Sequence, residues 1–226
     1  MTPYYDRDGI VIYHGDCRDV LPSIDPGSVD LLLTDPPYGI NLDTDNKKYG
    51  QEGIRARQIS HRRVEGDDAP FDPAPLFPFG RVLLFGANYY RDRLPDDTGG
   101  WLLWDKVCRN DAKRFEAWSD GELAWSNVFR GVKVYRHAWN GFGRSSENSF
   151  HVHPTQKPTS LMRWILDKWT NPGDLVLDPY MGSGPVAQAC HELGRRYIGI
   201  ELVEDYCRVA VSRLAQQTLD LDGGAA

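Results

Sequence analysis

A chain of 226 residues with 41% hydrophobic and 26% charged side chains has the make-up of one globular domain large enough for a substantial core. It contains no 18-residue apolar run and no charged-then-apolar leader, so neither a membrane span nor export is expected, and a cytoplasmic location is. The net charge of −6 excludes a wholly basic nucleic-acid-binding domain but leaves local basic patches open, while four scattered cysteines (Cys17, Cys108, Cys190, Cys207) without a C-x-x-C predict free thiols and no zinc site.

Along the chain, Ile10 to Tyr13 reads as a short strand running into His14-Gly15-Asp16, and Val29 to Thr34 as a buried strand, because its apolar run is short and continuous. Asn41 to Pro75 lacks periodicity and is rich in charge, Gly and Pro; a long, mobile, basic excursion is expected there. Further strands are predicted at Arg81 to Phe85, Trp101 to Trp104, Glu122 to Trp125 and Val132 to Tyr135. Pro158 to Trp169 predicts a helix, with Pro158 at its first position and Leu161, Trp164, Ile165 and Trp169 on one face. Asp174 to Leu177 (strand), Pro185 to Leu193 (helix), Tyr197 to Ile200 (strand) and Glu204 to Gln216 (helix) follow, and Leu219 to Ala226 reads as a frayed tail. This alternation implies parallel pairing and a single α/β domain, 1–226, whose sheet carries helices on both faces.

Two segments concentrate positive charge. Lys47 to Arg63 holds Lys47, Lys48, Arg55, Arg57, Arg62 and Arg63 against the single acid Glu52. Phe129 to Arg144 holds Arg130, Lys133, Arg136 and Arg144 without an acid, interleaved with Phe129, Tyr135, Trp139 and Phe142. A solvated surface explains either charge run; a polyanion partner explains the run with its aromatics.

Asp178-Pro179-Tyr180-Met181-Gly182-Ser183-Gly184-Pro185 joins a predicted strand to a predicted helix. Its glycines let backbone approach a ligand, and the following helix offers free N–H groups. Glu201, at the end of the next strand, stands where an acid holds ribose hydroxyls. A plain glycine turn is the simpler reading of one G-x-G; strand, turn, helix, strand and acid in succession favour an adenosine-containing ligand. A carboxylate at the strand tip suits a ligand bearing an ammonium, such as the methionine part of S-adenosylmethionine, and the absence of G-x-x-x-x-G-K-[ST] argues against a P-loop.

"SVDLLLTDPPYGI", Ser28 to Ile40, ends a buried strand on an acid, two prolines and an aromatic. The prolines forbid helix and hold Pro36 extended, so its carbonyl can stand beside the Asp35 carboxylate with Tyr38 as a flat wall. Two acceptors side by side are what an exocyclic amine needs for methylation: they localise the nitrogen lone pair toward a sulfonium methyl. A rigid turn is the competing reading of Asp35, Pro36, Pro37 and Tyr38 taken alone.

Four stretches in order, "HGDCRDVLPSIDPGSVDLLLTDPPYGI", "HPTQKP", "DLVLDPYMGSGPVAQAC" and "GRRYIGIELVEDYC", cover about half of the chain. Through them it resembles the DNA amino-methyltransferases of N6-adenine or N4-cytosine whose catalytic motif precedes the cofactor motif. The resemblance implies a Rossmann-like fold in circularly permuted motif order, with S-adenosylmethionine as cofactor. It implies that Asp16 and Cys17 lie against the cofactor's adenine and Lys157 near its carboxylate. Asp35, Asp178, Pro179, Met181, Gly182, Ser183, Gly184, Glu201 and Leu202 would complete that site. Asp35, Pro36, Pro37 and Tyr38 would handle a base turned out of the DNA. An Asp at the first catalytic position goes with adenine in this group, and a Ser with cytosine, so N6 of adenine is favoured and N4 of cytosine stays open.

The chain departs from many relatives in having only about Asn127 to Val152 for target recognition. Specificity is therefore expected from that segment, from the Asn41 to Pro75 excursion or from a second subunit of a homodimer; Lys47, Lys48, Arg55, Arg57, Arg130, Lys133, Arg136 and Arg144 are the expected DNA contacts. His151 and His153 lack a third ligand nearby, so no metal is expected. An RNA or protein-amide target, and a non-catalytic cofactor-binding subunit of a larger assembly, are the other readings. Compactness suits a solitary or phage methyltransferase in a bacterial cytoplasm.

Overall fold

In the computed structural model the described residues are 1–41, 65–95, 99–106, 119–140, 143–144 and 156–222, with backbone only for 139–140, 143–144 and 217–222. In chain order they form β1 (Tyr5–Arg7), β2 (Ile10–His14), α1 (Cys17–Val20), β3 (Leu31–Thr34), β4 (Val82–Phe85), β5 (Gly100–Asp105), β6 (Gly121–Ser126), β7 (Gly131–Arg136), β8 (Trp139–Asn140), β9 (Gly143–Arg144), α2 (Thr159–Trp169), β10 (Leu175–Asp178), α3 (Pro185–Leu193), β11 (Arg196–Glu201) and α4 (Glu204–Asp222). One mixed sheet runs β1-β2-β11-β10-β3-β4-β6-β5-β7, and β8 with β9 forms a separate two-stranded ladder. The stretch from β2 through β11, β10 and β3 to β4 is parallel. β6 then runs antiparallel to both β4 and β5.

Continuous apolar runs become the sheet's centre because both faces are covered. Every residue of β3, β4 and β10 is buried. Side chains alternate between two cores. Leu31, Leu33 and Val176 face α2, α3 and α4, where Leu161, Ile165, Ala187 and Ala210 fill the layer. Leu32, Leu84 and Leu177 face Val20 of α1 together with Leu76 and Phe79.

The expected strands and helices all form, with ends moved by a few residues and three revisions. Pro158 is extended (φ −64°, ψ 135°) and caps α2, which starts at Thr159; the Pro158 carbonyl accepts from the Leu161 and Met162 amides. α4 continues through Leu219 to Asp222 where a frayed tail was expected. The Asn41 to Pro75 excursion is ordered at its far end: Phe71 is buried, and a 3-10 segment, Ala74–Phe79, packs Leu76 and Phe79 under the sheet. Pro73, Pro75 and Pro78 deny that segment the donors of an α-helix. The rest of the excursion, 42–64, lies outside the described residues, as does most of 141–155. Among the described residues no helix is long and apolar enough to cross a membrane.

Candidate active site

β3 and β10 are parallel neighbours, with Leu31 opposite Val176 and Leu32 opposite Leu177, so both end at one edge of the sheet. β11 ends there too, beside β10. Two motifs separated by most of the chain therefore open into one cleft, at the carboxyl ends of parallel strands where α/β folds bind ligands. The cleft has a volume of about 1310 Å³. Its walls bring together Asp16, Cys17, Asp35, Pro36, Pro37, Tyr38, Lys157, Asp178, Pro179, Met181, Gly182, Ser183, Glu201 and Leu202. Gly184 does not line it: this residue caps α3 at φ +77°, and a Cβ there would lie 2.8 Å from the Ala210 Cβ of α4, so its smallness serves helix packing.

In the loop after β10, Gly182 takes φ +55° and donates its amide to Glu201 Oε2 at 2.8 Å. Glu201 Oε1 accepts from the Val203 amide at 2.8 Å. Burial pushes the Glu201 carboxyl up while these amides oppose the shift. Each oxygen keeps a second lone pair for a ligand hydroxyl. Asp178 is a buried cross-tie and not an open carboxylate. Oδ1 accepts from Thr34 Oγ1 at 2.6 Å and Oδ2 from the Tyr197 hydroxyl at 3.3 Å. Burial raises its pKa to about 7 against those donors. Asp16 caps α1, accepting from the Arg18 amide at 2.9 Å and from the Arg18 guanidinium.

Around β3 each oxygen of the Asp35 carboxylate carries a partner. Tyr38 Oη donates to Oδ1 at 2.5 Å, and Lys157 Nζ lies 2.5 Å from Oδ2. The same Nζ lies 3.2 Å from Tyr38 Oη and 2.8 Å from Glu122 Oε2. Glu122 Oε1 receives Lys106 Nζ. The resulting chain, Asp35–Lys157–Glu122–Lys106, carries two negative and two positive charges. Burial pushes Asp35 up, with Lys157 opposing. Burial works the same way on Glu122, but Lys157 and Lys106 overcome it and hold this carboxyl at about 2. Lys157 is disfavoured as a cation by burial, yet its two carboxylates keep it charged. The Tyr38 ring lies against Gly86 and stacks on Tyr89, with centroids 5.3 Å apart and planes 17° off parallel. The expected open aromatic wall is thus folded down beside the end of β4, with its hydroxyl on Asp35.

Glu122, Lys106, Gly86, Tyr89, Thr34 and Gln156 were not expected at the site. An acid inside the apolar strand β6 was the available signal for Glu122, and a glycine ending β4 the one for Gly86. Gln156 lines the cleft, is 7% exposed, and among the described residues neither amide atom has a hydrogen-bond partner.

Of the basic residues, Arg130, Lys133 and Arg136 are exposed on or beside the edge strand β7, away from the cleft walls. Strand alternation puts Lys133 with Tyr135 on one face and Arg136 with Val132 and Val134 on the other. Arg136 Nε lies 3.5 Å from Asp105 Oδ2. Arg144 is described by its backbone alone, in β9. Lys47, Lys48, Arg55, Arg57, His151 and His153 lie outside the described residues.

A family model for DNA methylase matches residues 84–212, more than half of the chain. The Type II methyltransferase M2.LlaDCHI of Lactococcus lactis subsp. cremoris is 25% identical over 247 aligned positions, which cover 94% of this chain and 91% of that protein. The Type II methyltransferase M2.DpnII of Streptococcus pneumoniae is 26% identical, covering 94% and 92%. Among solved structures, an M1.HpyAVI–SAM complex superposes with a TM-score of 0.55 at 26% identity, over 91% of this chain and 98% of that one.

Proposed function

We propose that this chain, which belongs to the N6-adenine/N4-cytosine DNA methylase family, moves the methyl group of S-adenosylmethionine to the exocyclic N6 amine of adenine in DNA. The observation that carries this is the meeting of Asp35 and the Gly182 loop in one cleft, from adjacent parallel strands. S-adenosylmethionine supplies an electrophilic sulfonium methyl. The residues present fit it: the cleft is larger than a typical single-ligand pocket of roughly 300–1,000 Å³, leaving room for a base. Glu201 offers lone pairs to ribose hydroxyls, Asp16 and Cys17 form a wall for its adenine, and the unpaired Gln156 amide offers a donor and an acceptor.

On the substrate side, Asp35 and the Pro36 carbonyl accept the two N–H bonds of the amine and localise its lone pair for attack. Burial makes Asp35 a better proton acceptor than an exposed aspartate, which helps it take the proton that the methylated nitrogen sheds. Asp35 at the head of the tetrapeptide favours adenine over cytosine. Arg130, Lys133 and Arg136 supply phosphate contacts. The test is direct: purified chain, labelled cofactor and unmethylated DNA are incubated, and the DNA is digested to nucleosides. N6-methyladenine is the expected product. N4-methylcytosine would move the target base, and absence of transfer by the chain alone would favour the non-catalytic subunit.

A further inference from the structure

Both oxygens of the Asp35 carboxylate are occupied before any base arrives: Oδ1 by Tyr38 and Oδ2 by Lys157. The amine acceptor is thus already held by a cation. Lys157 is only 3% exposed, so its ammonium cannot retreat into water when a substrate amine needs that oxygen. One other buried carboxylate is within reach. Glu122 Oε2 lies 2.8 Å from the same nitrogen, an ion pair that is already in place, and among the described residues this oxygen has no hydrogen-bond donor other than that ammonium. A buried carboxylate oxygen whose one cation is shared with the amine acceptor is a second seat on which that cation can settle in full.

We propose that Glu122 is the second seat of the Lys157 ammonium: as the amine enters, Lys157 turns from Asp35 Oδ2 to Glu122 Oε2, and the freed Asp35 oxygen accepts the amine N–H. No bond is made or broken and the four-residue cluster stays neutral. The move is a reorientation, because the ammonium is already within 2.8 Å of both carboxylates. Lys106, held on Glu122 Oε1, anchors the receiving carboxylate from the far side. Glu122 and Lys157 are positioning residues acting through Asp35. The inference rests on the reading that Asp35 binds an exocyclic amine.

The experiment measures single-turnover methyl transfer to DNA at saturating DNA and labelled cofactor, with thermal unfolding of each variant alongside. Glu122→Gln removes the second seat and leaves Lys157 on Asp35. Turnover is expected to fall by about 10- to 100-fold, the worth of a charged hydrogen bond, with cofactor affinity unchanged. Adding Lys157→Met should then restore much of the loss, because no ammonium remains to be moved. A structural role would lower the unfolding temperature without that recovery. Glu122→Gln at the wild-type rate, or a double variant no faster than Glu122→Gln, overturns the inference. If Glu122→Gln alone does not fold, the charge-balanced double variant is compared with Lys157→Met. Equal rates support the seat, and a much slower double variant overturns it. Wild-type protein that methylates no DNA would instead sink the amine-transfer reading, so the two failures are separable.

Discussion

Replacing Gly86 by Ala tests the Asp35–Tyr38 loop through a residue that lies outside it. Gly86 ends β4 at φ +67° and donates its amide to the Leu123 carbonyl at 2.9 Å. A Cβ built there would lie 1.9 Å from Tyr38 Cε1 and 2.2 Å from Cδ1. Carbon atoms in contact sit about 3.5–4.0 Å apart, so the ring must move by roughly 1.5 Å or more. Three losses follow. A left-handed conformation costs a non-glycine residue about 1–2 kcal/mol, and the stack on Tyr89 is worth about 0.5–1.5 kcal/mol. The Tyr38 hydroxyl also loses Asp35, for about 1 kcal/mol net at this part-buried site. The expected destabilisation is about 3 kcal/mol, read in urea as a lowered midpoint at constant slope, with methyl transfer impaired through the displaced tyrosine. Tyr38→Ala in the same chain relieves the collision, so the double variant should cost clearly less than the two single costs together. Gly86→Ala within about 0.5 kcal/mol of wild type, or strict additivity with Tyr38→Ala, would refute the reasoning.

Asp35→Ala removes one of two amine acceptors and should lower turnover by about 10²–10³-fold with the fold intact; near-normal methylation would falsify its role. Glu201→Ala should weaken cofactor binding by about 1.5–3 kcal/mol, with part of the effect coming from the released Gly182 loop; unchanged affinity by calorimetry removes Glu201 from the site. Asp178 has its carboxyl raised from 3.8 to about 7 in the fold, so the folded state holds its proton more tightly than the unfolded one. Its contribution to stability is full below pH 3.8 and is lost as pH rises through 7. Urea unfolding at pH 5 and pH 8 should therefore differ less in Asp178→Asn than in wild type, and an equal difference would show the group does not titrate there. Charge reversal at Arg130, Lys133 and Arg136 should reduce the salt slope of DNA binding by roughly 0.9 for each phosphate that is no longer neutralised, more than reversal of the exposed Arg208 on α4; equal effects would move the DNA surface elsewhere.

Elements whose residues are buried on both faces were readable from sequence, because a short continuous apolar run has few other uses: β3, β4 and β10 are examples. The Gly182 loop and the Asp35–Tyr38 tetrapeptide were readable for a different reason. Gly182 and the Pro36-Pro37 pair constrain the backbone locally, so their meaning does not depend on what lies across the cleft. Glu122 and Lys106 were opaque because their significance is a pairing across β5 and β6 with a lysine from beyond residue 150. A single acid in a strand carries no mark of its partner. Tyr38 was read as an open wall because sequence specifies an aromatic but not its rotamer, which Gly86 and Tyr89 settle from the turn after β4. The 3-10 segment Ala74–Phe79 escaped notice because its prolines mask an apolar pattern that matches neither the helical nor the strand period.

The reversed motif order sets a timetable for synthesis. β2 and β3 leave the ribosome well before their sheet partners β11 and β10, which follow more than 140 residues later. At about 5–20 residues per second, the intervening chain takes on the order of ten seconds to appear. Through that interval β3 can pair with β4 on one side while its other edge, fully buried in the finished protein, stays open. The cleft therefore cannot assemble as the chain is made: β3 and β10 meet only once residue 178 is out. Nascent or prematurely terminated chains that stop before Leu175 expose a leucine-rich strand edge, the kind of surface that chaperones bind and that seeds aggregation.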